Sequence, residues 1–395
     1  MRYVSEDVLE SLQDDRMAFI VGPRQVGKTT LAKALLSQPD NYFNWDVELH
    51  RQALLRNPDA FWTAQRGKAR VVLDEIHKYP RFKRFLKGLY DYADESLELI
   101  VTGSGRLDVY QKGGDSLFGR YWLHHLHPFT VGEYLASGNQ KLPTPDEFLD
   151  AVKGLPSMNG AAEALDLIEM YSGFPEPLYA AKMDKLRRWR RSRRDLVLRE
   201  DLRDLSRIRE LGLVDHLVEL LPVRIGSPVS INALREELGV AFDTVKNWIA
   251  VLCRLYFLFE LKPWSGKLAR TLRKEAKLYF FEPTVIEDAG ARFENTVALH
   301  LLKLVDTWND RGYGDFSLGY VRDKERREVD FVIAEGIKPF ALIEAKLSED
   351  QPTPSLRYFH ERIKPKVSLQ VFRNGKPRKS GDIFSVPAER LLGLM

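Results

Sequence analysis

The sequence predicts an α/β protein: a parallel sheet with a phosphate site at the carboxyl ends of its strands, a helical stretch, then a second α/β part. Three observations predict it. Met17-Ala-Phe-Ile-Val21 is a short apolar run that leads into Gly22-Pro23-Arg24-Gln25-Val26-Gly27-Lys28-Thr29-Thr30, and Leu31, Ala34 and Leu35 follow at helical spacing. Arg70-Val-Val-Leu-Asp74-Glu75 is an apolar run closed by two carboxylates, the pattern of a strand buried on both faces. Late in the chain, Glu328-Val-Asp330-Phe-Val-Ile and Phe340-Ala-Leu-Ile-Glu344-Ala-Lys346 read as two more strands.

Residues 1–16 read as an amphipathic helix with Val4, Val8, Leu9 and Leu12 on one side. Gly22 to Thr29 then satisfies G-x-x-x-x-G-K-[ST], the phosphate-binding loop. Gly22 and Gly27 let the backbone curl so that its N–H groups face inward, where a Cβ would interfere. Lys28 brings a point charge to the β- and γ-phosphates, and the Thr29 hydroxyl is a Mg²⁺ ligand. The following helix points its positive end at the phosphates. A short strand, Tyr42 to Trp45, ends in Asp46, and a helix broken by Pro58 leads to the strand Ala69–Leu73. That strand opens onto the ligand crevice at its carboxyl end. There Asp74 would hold Mg²⁺, and Glu75 would polarise the attacking water as general base. Leu97-Glu-Leu-Ile-Val-Thr102-Gly-Ser104 is a further strand with polar residues at its carboxyl end. Ser116-Leu-Phe-Gly-Arg120 precedes a fifth strand, Tyr121 to Leu126. Arg120 is a transition-state arginine candidate, acting in its own subunit or a neighbour's, or else a surface arginine. His124, His125 and His127 lack Cys or carboxylate partners at ligand spacing, which argues against a metal site.

GPRQVGKTTL, VVLDEIHKYP, LIVTGS, SLFGRYWLHHLHPFTVGEY and YSGFPEPL occur in that order. The set resembles bacterial and archaeal AAA-family ATPases that carry a second C-terminal part, relatives of the archaeal-type and STAND-like P-loop ATPases. The resemblance implies a P-loop parallel sheet of the additional-strand (AAA+) type, with ATP and Mg²⁺ as cofactors and a homo-oligomer such as a ring. It implies γ-phosphate sensing by Thr102 or Ser104. His77 stands where that family usually has Gln. Gly173-Phe-Pro175 resembles the Gly-x-Pro motif of STAND ATPases, which implies an adenine contact for Pro175.

The organisation read from the sequence is an ATPase core over 1–135, a helical lid over 136–213, a winged helix over 214–283 and a nuclease-like domain over 284–395. In the lid, arginines at 187, 188, 190, 191, 193 and 194 surround Leu186 and Trp189. Their density could track a phosphate backbone, but Asp195, Glu200, Asp201 and Asp204 follow closely and favour a salt-bridged helix. In the third segment Ser230 caps Ile231–Leu238, Gly239 ends it, and Ala241–Leu255 buries Val245, Trp248, Ile249 and Leu252. A hairpin of Tyr256–Leu261 and Lys277–Phe281 around Lys267, Arg270, Arg273 and Lys274 would be the wing. Thr244, Lys246 and Asn247 would then face a nucleic-acid groove, unless the module is scaffolding.

In the last segment, alternation along the strand puts Glu344 and Lys346 on one face. A carboxylate from each strand plus a lysine can hold a divalent ion and polarise a water. The pattern resembles the PD-(D/E)xK fold of restriction-endonuclease-like domains. That likeness implies Asp330 and Glu344 as metal ligands, Lys346 as the group that positions the water, and Glu294 as the accessory acid of the preceding helix.

At 395 residues and a net charge of +4, composition alone neither demands nor excludes nucleic acid. The lone Cys253 precludes an internal disulfide and a Cys-rich zinc site, which fits a cytoplasmic protein. The acidic N-terminus does not read as a signal peptide, and no run is long enough to span a bilayer. Two functions compete, beside a blander reading as an ATP-dependent scaffold that contacts no nucleic acid. One is a Mg²⁺-dependent ATPase that binds, translocates or remodels DNA, for example by branch migration. The other is a STAND-type nucleotide-controlled switch with a C-terminal effector or partner-binding module.

Overall fold

The structure, a computed structural model, describes residues 2–58, 60–63, 68–93, 97–103, 117–136, 141–154, 158–202, 210–264, 266, 275–348 and 351–395. Ser104, Ser116, Asp204, Lys267, Arg270, Arg273 and Lys274 lie outside the described residues. The chain divides into two compact units: residues 1–127 with 254–256, and residues 128–253 with 257–395.

The first unit is a parallel sheet of five strands. β1 is Met17–Val21, β2 Tyr42–Asn44, β3 Ala69–Asp74, β4 Leu97–Thr102 and β5 Tyr121–His125, in the order β2-β3-β4-β1-β5. All four pairings are parallel. β1 is buried along its whole length, as expected of a strand covered by helices on both faces. Phe19, Val71, Leu73, Leu86 and Val101 share one core with Phe43 and Phe82. The first helix is Val4–Gln13, with Val4, Val8 and Leu12 buried as its spacing predicts. Register places Asn44 beside Asp74 and Asp74 beside Thr102, a polar row along the carboxyl edge. The phosphate loop leaves β1 at that same edge.

The second unit begins with helices. Met183–Asp195 runs into a π-helical turn at Leu196–Asp201. Three helices follow, Leu211–Leu220, Ile231–Leu238 and Phe242–Arg254. The Ser230 hydroxyl accepts the Ala233 N–H, and Gly239 closes that helix at φ +67°. Val245, Trp248, Ile249 and Leu252 are buried, Lys246 and Asn247 are exposed, and Thr244 is half-buried.

The remaining strands are β6 Leu258–Pro263, β7 Lys277–Phe280, β8 Phe316–Arg322, β9 Glu328–Glu335, β10 Lys338–Lys346, β11 Val367–Phe372, β12 Arg378–Ser380 and β13 Ile383–Pro387. They form one eight-stranded mixed sheet, β12-β13-β11-β10-β9-β8-β6-β7. This corrects the expected wing. The hairpin forms, but its strands extend the C-terminal sheet, with Lys262 opposite Gly319 and Pro263 opposite Tyr320. The reason is burial: every residue of β7 is buried, which a solvent-bathed wing could not provide. A domain border at 283/284 would therefore cut a continuous sheet. Helix Ala289–Asp310 and helix Pro354–Ile363 complete this part. Among the described residues no helix is long and apolar enough to cross a membrane.

Candidate functional site

The loop after β1 has the backbone its glycines foretell. Gly22 has φ +145°, and a Cβ there would lie 2.2 Å from the Leu126 carbonyl oxygen. Gly27 has φ +104° and stands at the start of helix Lys28–Ala34. The Lys28 ammonium donates to the Gly22 and Pro23 carbonyls at 2.9 and 2.8 Å, so it is held across the mouth of the loop. Arg24, Gln25 and Val26 form the crown between the glycines, and Gln25 is left-handed at φ +66°.

Asp74 ties the loop to the sheet edge. Its buried carboxylate accepts the Thr29 hydroxyl at 2.9 Å and the Tyr42 hydroxyl at 2.7 Å. The Thr102 hydroxyl donates to the other oxygen. Asn44 donates to the Tyr42 oxygen at 3.2 Å. Burial and then the Asp74 bond push the Tyr42 phenol well above its ordinary range, so it stays a donor. Glu75 follows at φ +57°, an αL geometry that few side chains adopt, with its N–H held by the Thr102 carbonyl at 3.0 Å. Its carboxylate lies 3.6 Å from His77 Nε2 and 3.7 Å from Lys78 Nζ. Burial raises the Glu75 carboxyl above its ordinary value, although Lys28 and Lys78 pull it down.

Arg120 is elsewhere. Tyr121 pairs with Met17 and His125 with Val21, so Arg120 sits at the amino edge of the sheet and the loop at the carboxyl edge. A five-residue strand, about 16 Å long, separates them. Arg120 instead forks onto Asp91 at 2.9 and 3.3 Å. Reach to the phosphate loop of its own subunit is thereby corrected. Pro175 lies in the second unit, at the first position of helix Pro175–Ala180. The Gly173 carbonyl accepts the Phe129 N–H at 2.7 Å, and a Cβ on Gly173 would meet the Phe129 oxygen at 2.5 Å.

The carboxylates of the C-terminal sheet converge, but around a lysine that sequence reasoning missed. Lys277 Nζ, fully buried, lies 2.7 Å from Glu328, 3.3 Å from Glu294 and 3.4 Å from Asp330. Tyr279 donates to Glu294 at 2.7 Å. Asp330 accepts the Ala345 N–H at 3.1 Å. Glu344 pairs with Lys346 at 3.1 Å and accepts the Thr353 hydroxyl at 2.5 Å. Burial, then the Asp330 charge, lifts Glu294 to about 7. The expected metal pair, Asp330 and Glu344, is thus already committed to protein donors. Among the described residues no group of three or more His, Cys, Asp or Glu is arranged to hold a metal ion. The signal for Lys277 was a charge opening an otherwise apolar, fully buried strand.

Residues 14–135 match the AAA domain family. Residues 163–289 and 289–391 match two domains of unknown function, DUF8612 and DUF4143. No curated protein matches the chain. Among solved structures, a variant of Thermotoga maritima RuvB is similar at 17% identity, covering 65% of this chain and 88% of that one, with a TM-score of 0.30. The Aeropyrum pernix ORC1 protein in complex with DNA is similar at 17% identity, covering 75% and 92%, with a TM-score of 0.31. A STAND protein with a tetratricopeptide repeat sensor from Pyrococcus horikoshii is similar at 11% identity, covering 78% and 47%, with a TM-score of 0.27.

Proposed function

We propose that this chain is a Mg²⁺-dependent ATPase of the AAA type that uses hydrolysis to bind, translocate or remodel DNA. The observation that carries the ATPase reading is the convergence of Lys28, Thr29, Asp74, Glu75 and Thr102 on one sheet edge. In this reading the N–H groups of residues 24–30 cradle the phosphates, and Lys28 leaves the loop carbonyls to neutralise them. Thr29 and Asp74 offer hard oxygen donors 2.9 Å apart, the kind of pair that suits Mg²⁺. When bound, that ion would neutralise charge growing on the phosphoryl oxygens. Tyr42 and Asn44 hold Asp74 in place, and Thr102 couples it to the strand that would sense the γ-phosphate. Glu75 acts as base, and its raised carboxyl favours taking a proton from water.

The DNA half of the proposal draws on Lys246 and Asn247, exposed on helix Phe242–Arg254. Pro175, at the start of its helix beside the closely packed Gly173, supports a second reading as a STAND-type nucleotide switch with an adenine contact there. For residues 284–395 the order helix, three strands, helix, strand supports the PD-(D/E)xK shape. The lysine-filled carboxylate cluster supports a non-cutting version of it.

Turnover and nucleotide binding test this directly. Lys28→Ala is expected to lose ATP binding at the phosphate loop. Glu75→Gln is expected to keep binding and lose about 100-fold or more in turnover; wild-type turnover would place the base elsewhere. Single-stranded, duplex and branched DNA are then added at moderate salt. A DNA that raises turnover or binds supports the motor; no effect from any leaves the switch.

A further inference from the structure

We propose that the arginine-rich helix Met183–Asp195 forms one wall of a binding site for a nucleoside monophosphate. A cavity of about 490 Å³ lies in the second unit, among Arg187, Trp189, Arg190, Arg191, Phe257 and Phe280. That volume is typical of small-molecule sites and takes one nucleotide.

The five arginines of the helix that line the cavity divide by what they touch. Arg194 is held by Asp215 and Glu219. Arg190 donates to the Thr284 carbonyl at 2.7 Å. Arg193 is buried, with its guanidinium 4.6 Å from the Phe174 ring and 5.6 Å from the Phe257 ring. These three build the wall and are engaged by protein. Arg187 and Arg191 also line the cavity, are exposed, and have no hydrogen-bond or ion-pair partner among the described residues. They are one turn apart, so their Cβ atoms stand roughly 6 Å apart on one helix face. Two uncommitted guanidinium forks at that spacing suit a phosphate, which each grips through parallel N–H donors.

The rest of the lining selects what hangs on the phosphate. Trp189, Phe257 and Phe280, with Val218 and Val285, give apolar surface that suits a planar base, while the two carboxylates of the lining are already engaged, Glu282 by the Ser172 and Thr284 hydroxyls and Glu219 by Arg194. Arg193 belongs to the same lining, where burial lowers its guanidinium below the ordinary value and the Glu282 and Asp201 charges work against that. Arginines at the mouth and rings inside therefore describe a nucleotide with a terminal phosphate.

The test uses the full chain carrying Lys28→Ala, so that the phosphate loop contributes least. AMP, GMP, CMP, UMP, adenosine and inorganic phosphate are titrated separately by calorimetry. At least one monophosphate is expected to bind, with adenosine and phosphate each about tenfold weaker or worse. Adding Arg187→Ala with Arg191→Ala is expected to cost about tenfold or more in affinity. Val285→Trp, which fills the cavity while leaving both arginines, is expected to do the same. Thermal melting of each variant, unchanged within a few degrees, shows that the fold survives. Absence of binding by every monophosphate overturns the site. Equal binding by parent and both variants overturns its location, and phosphate binding as tightly as the nucleotides overturns the ligand class.

Discussion

Asp74 and Lys277 show how differently two buried charges can be arranged. Asp74 is satisfied by neutral groups, the hydroxyls of Thr29, Tyr42 and Thr102 and, at 3.5 Å, the Asn44 amide. Hydroxyls can exchange a carboxylate for another partner at modest cost, so the carboxylate stays available to a cation arriving with phosphate. Lys277 is a cation caged by Glu294, Glu328 and Asp330, with Tyr320 at 5.5 Å. Removing one partner of such a cluster strands like charges in a low dielectric. Lys277→Met is therefore expected to cost about 3–5 kcal/mol in urea unfolding. A loss below about 1 kcal/mol would mean the carboxylates are satisfied without the ammonium. The same cage predicts no DNA cleavage by the wild-type chain with Mg²⁺ or Mn²⁺; cutting that Lys346→Ala abolishes would restore the nuclease.

Among elements, helix Ala289–Asp310 carries the clearest pH dependence. His300 is buried on it and accepts the Val131 N–H at Nε2, 3.1 Å away, while Nδ1 lies 2.8 Å from the Thr296 carbonyl. Both bonds use the neutral ring, and burial pushes His300 down to about 4. Above about pH 6.5 the ring is neutral folded or unfolded, and the contribution is complete. As pH falls towards 4 only the unfolded chain takes up the proton, and about 3 kcal/mol is lost. Glu294 runs the other way: its carboxyl, raised to about 7, favours the fold below about pH 4.5, and that gain is lost as pH rises through 7. The difference between wild type and His300→Gln isolates the histidine. The wild type should lose stability relative to the variant between pH 6.5 and 4, and a difference that does not change with pH would show that His300 is not held neutral. The sequence did not mark His300, and it marked Glu294 only as the accessory acid of a nuclease-like site. Phosphate loop, carboxylate pair and strand β4 were legible because each is a contiguous run whose chemistry is local. Tyr42 and Asn44 reach Asp74 only because β2 pairs with β3, and Lys277 meets Glu294, Glu328 and Asp330 only because β7 joins the later sheet. Strand order is a long-range property, and local pattern does not carry it.

At the scale of the whole molecule, the proposed ATPase reading asks whether one chain would complete its own nucleotide site. Charge that builds on the phosphoryl oxygens calls for a cation beyond Lys28 and Mg²⁺, commonly an arginine. Arg120, the candidate named from sequence, lies one strand length from its own loop and is locked to Asp91. If it serves catalysis, it serves the site of a second copy. Phe118 and Trp122 on either side of it are exposed, 80% and 46%, as residues at a contact between copies would be in a single chain. The consequence is a complementation experiment. Arg120→Ala keeps the loop but lacks the arginine; Lys28→Ala keeps the arginine but lacks the loop. Each alone is expected to show at least about tenfold less turnover than wild type. Mixed, they form some sites with an intact loop from one chain and an intact arginine from the other, so turnover should recover in part and rise with total protein concentration. Full activity of Arg120→Ala alone, or no recovery in the mixture, would remove Arg120 from the reaction. The Asp91 pair would then be a surface ion pair with little effect on stability.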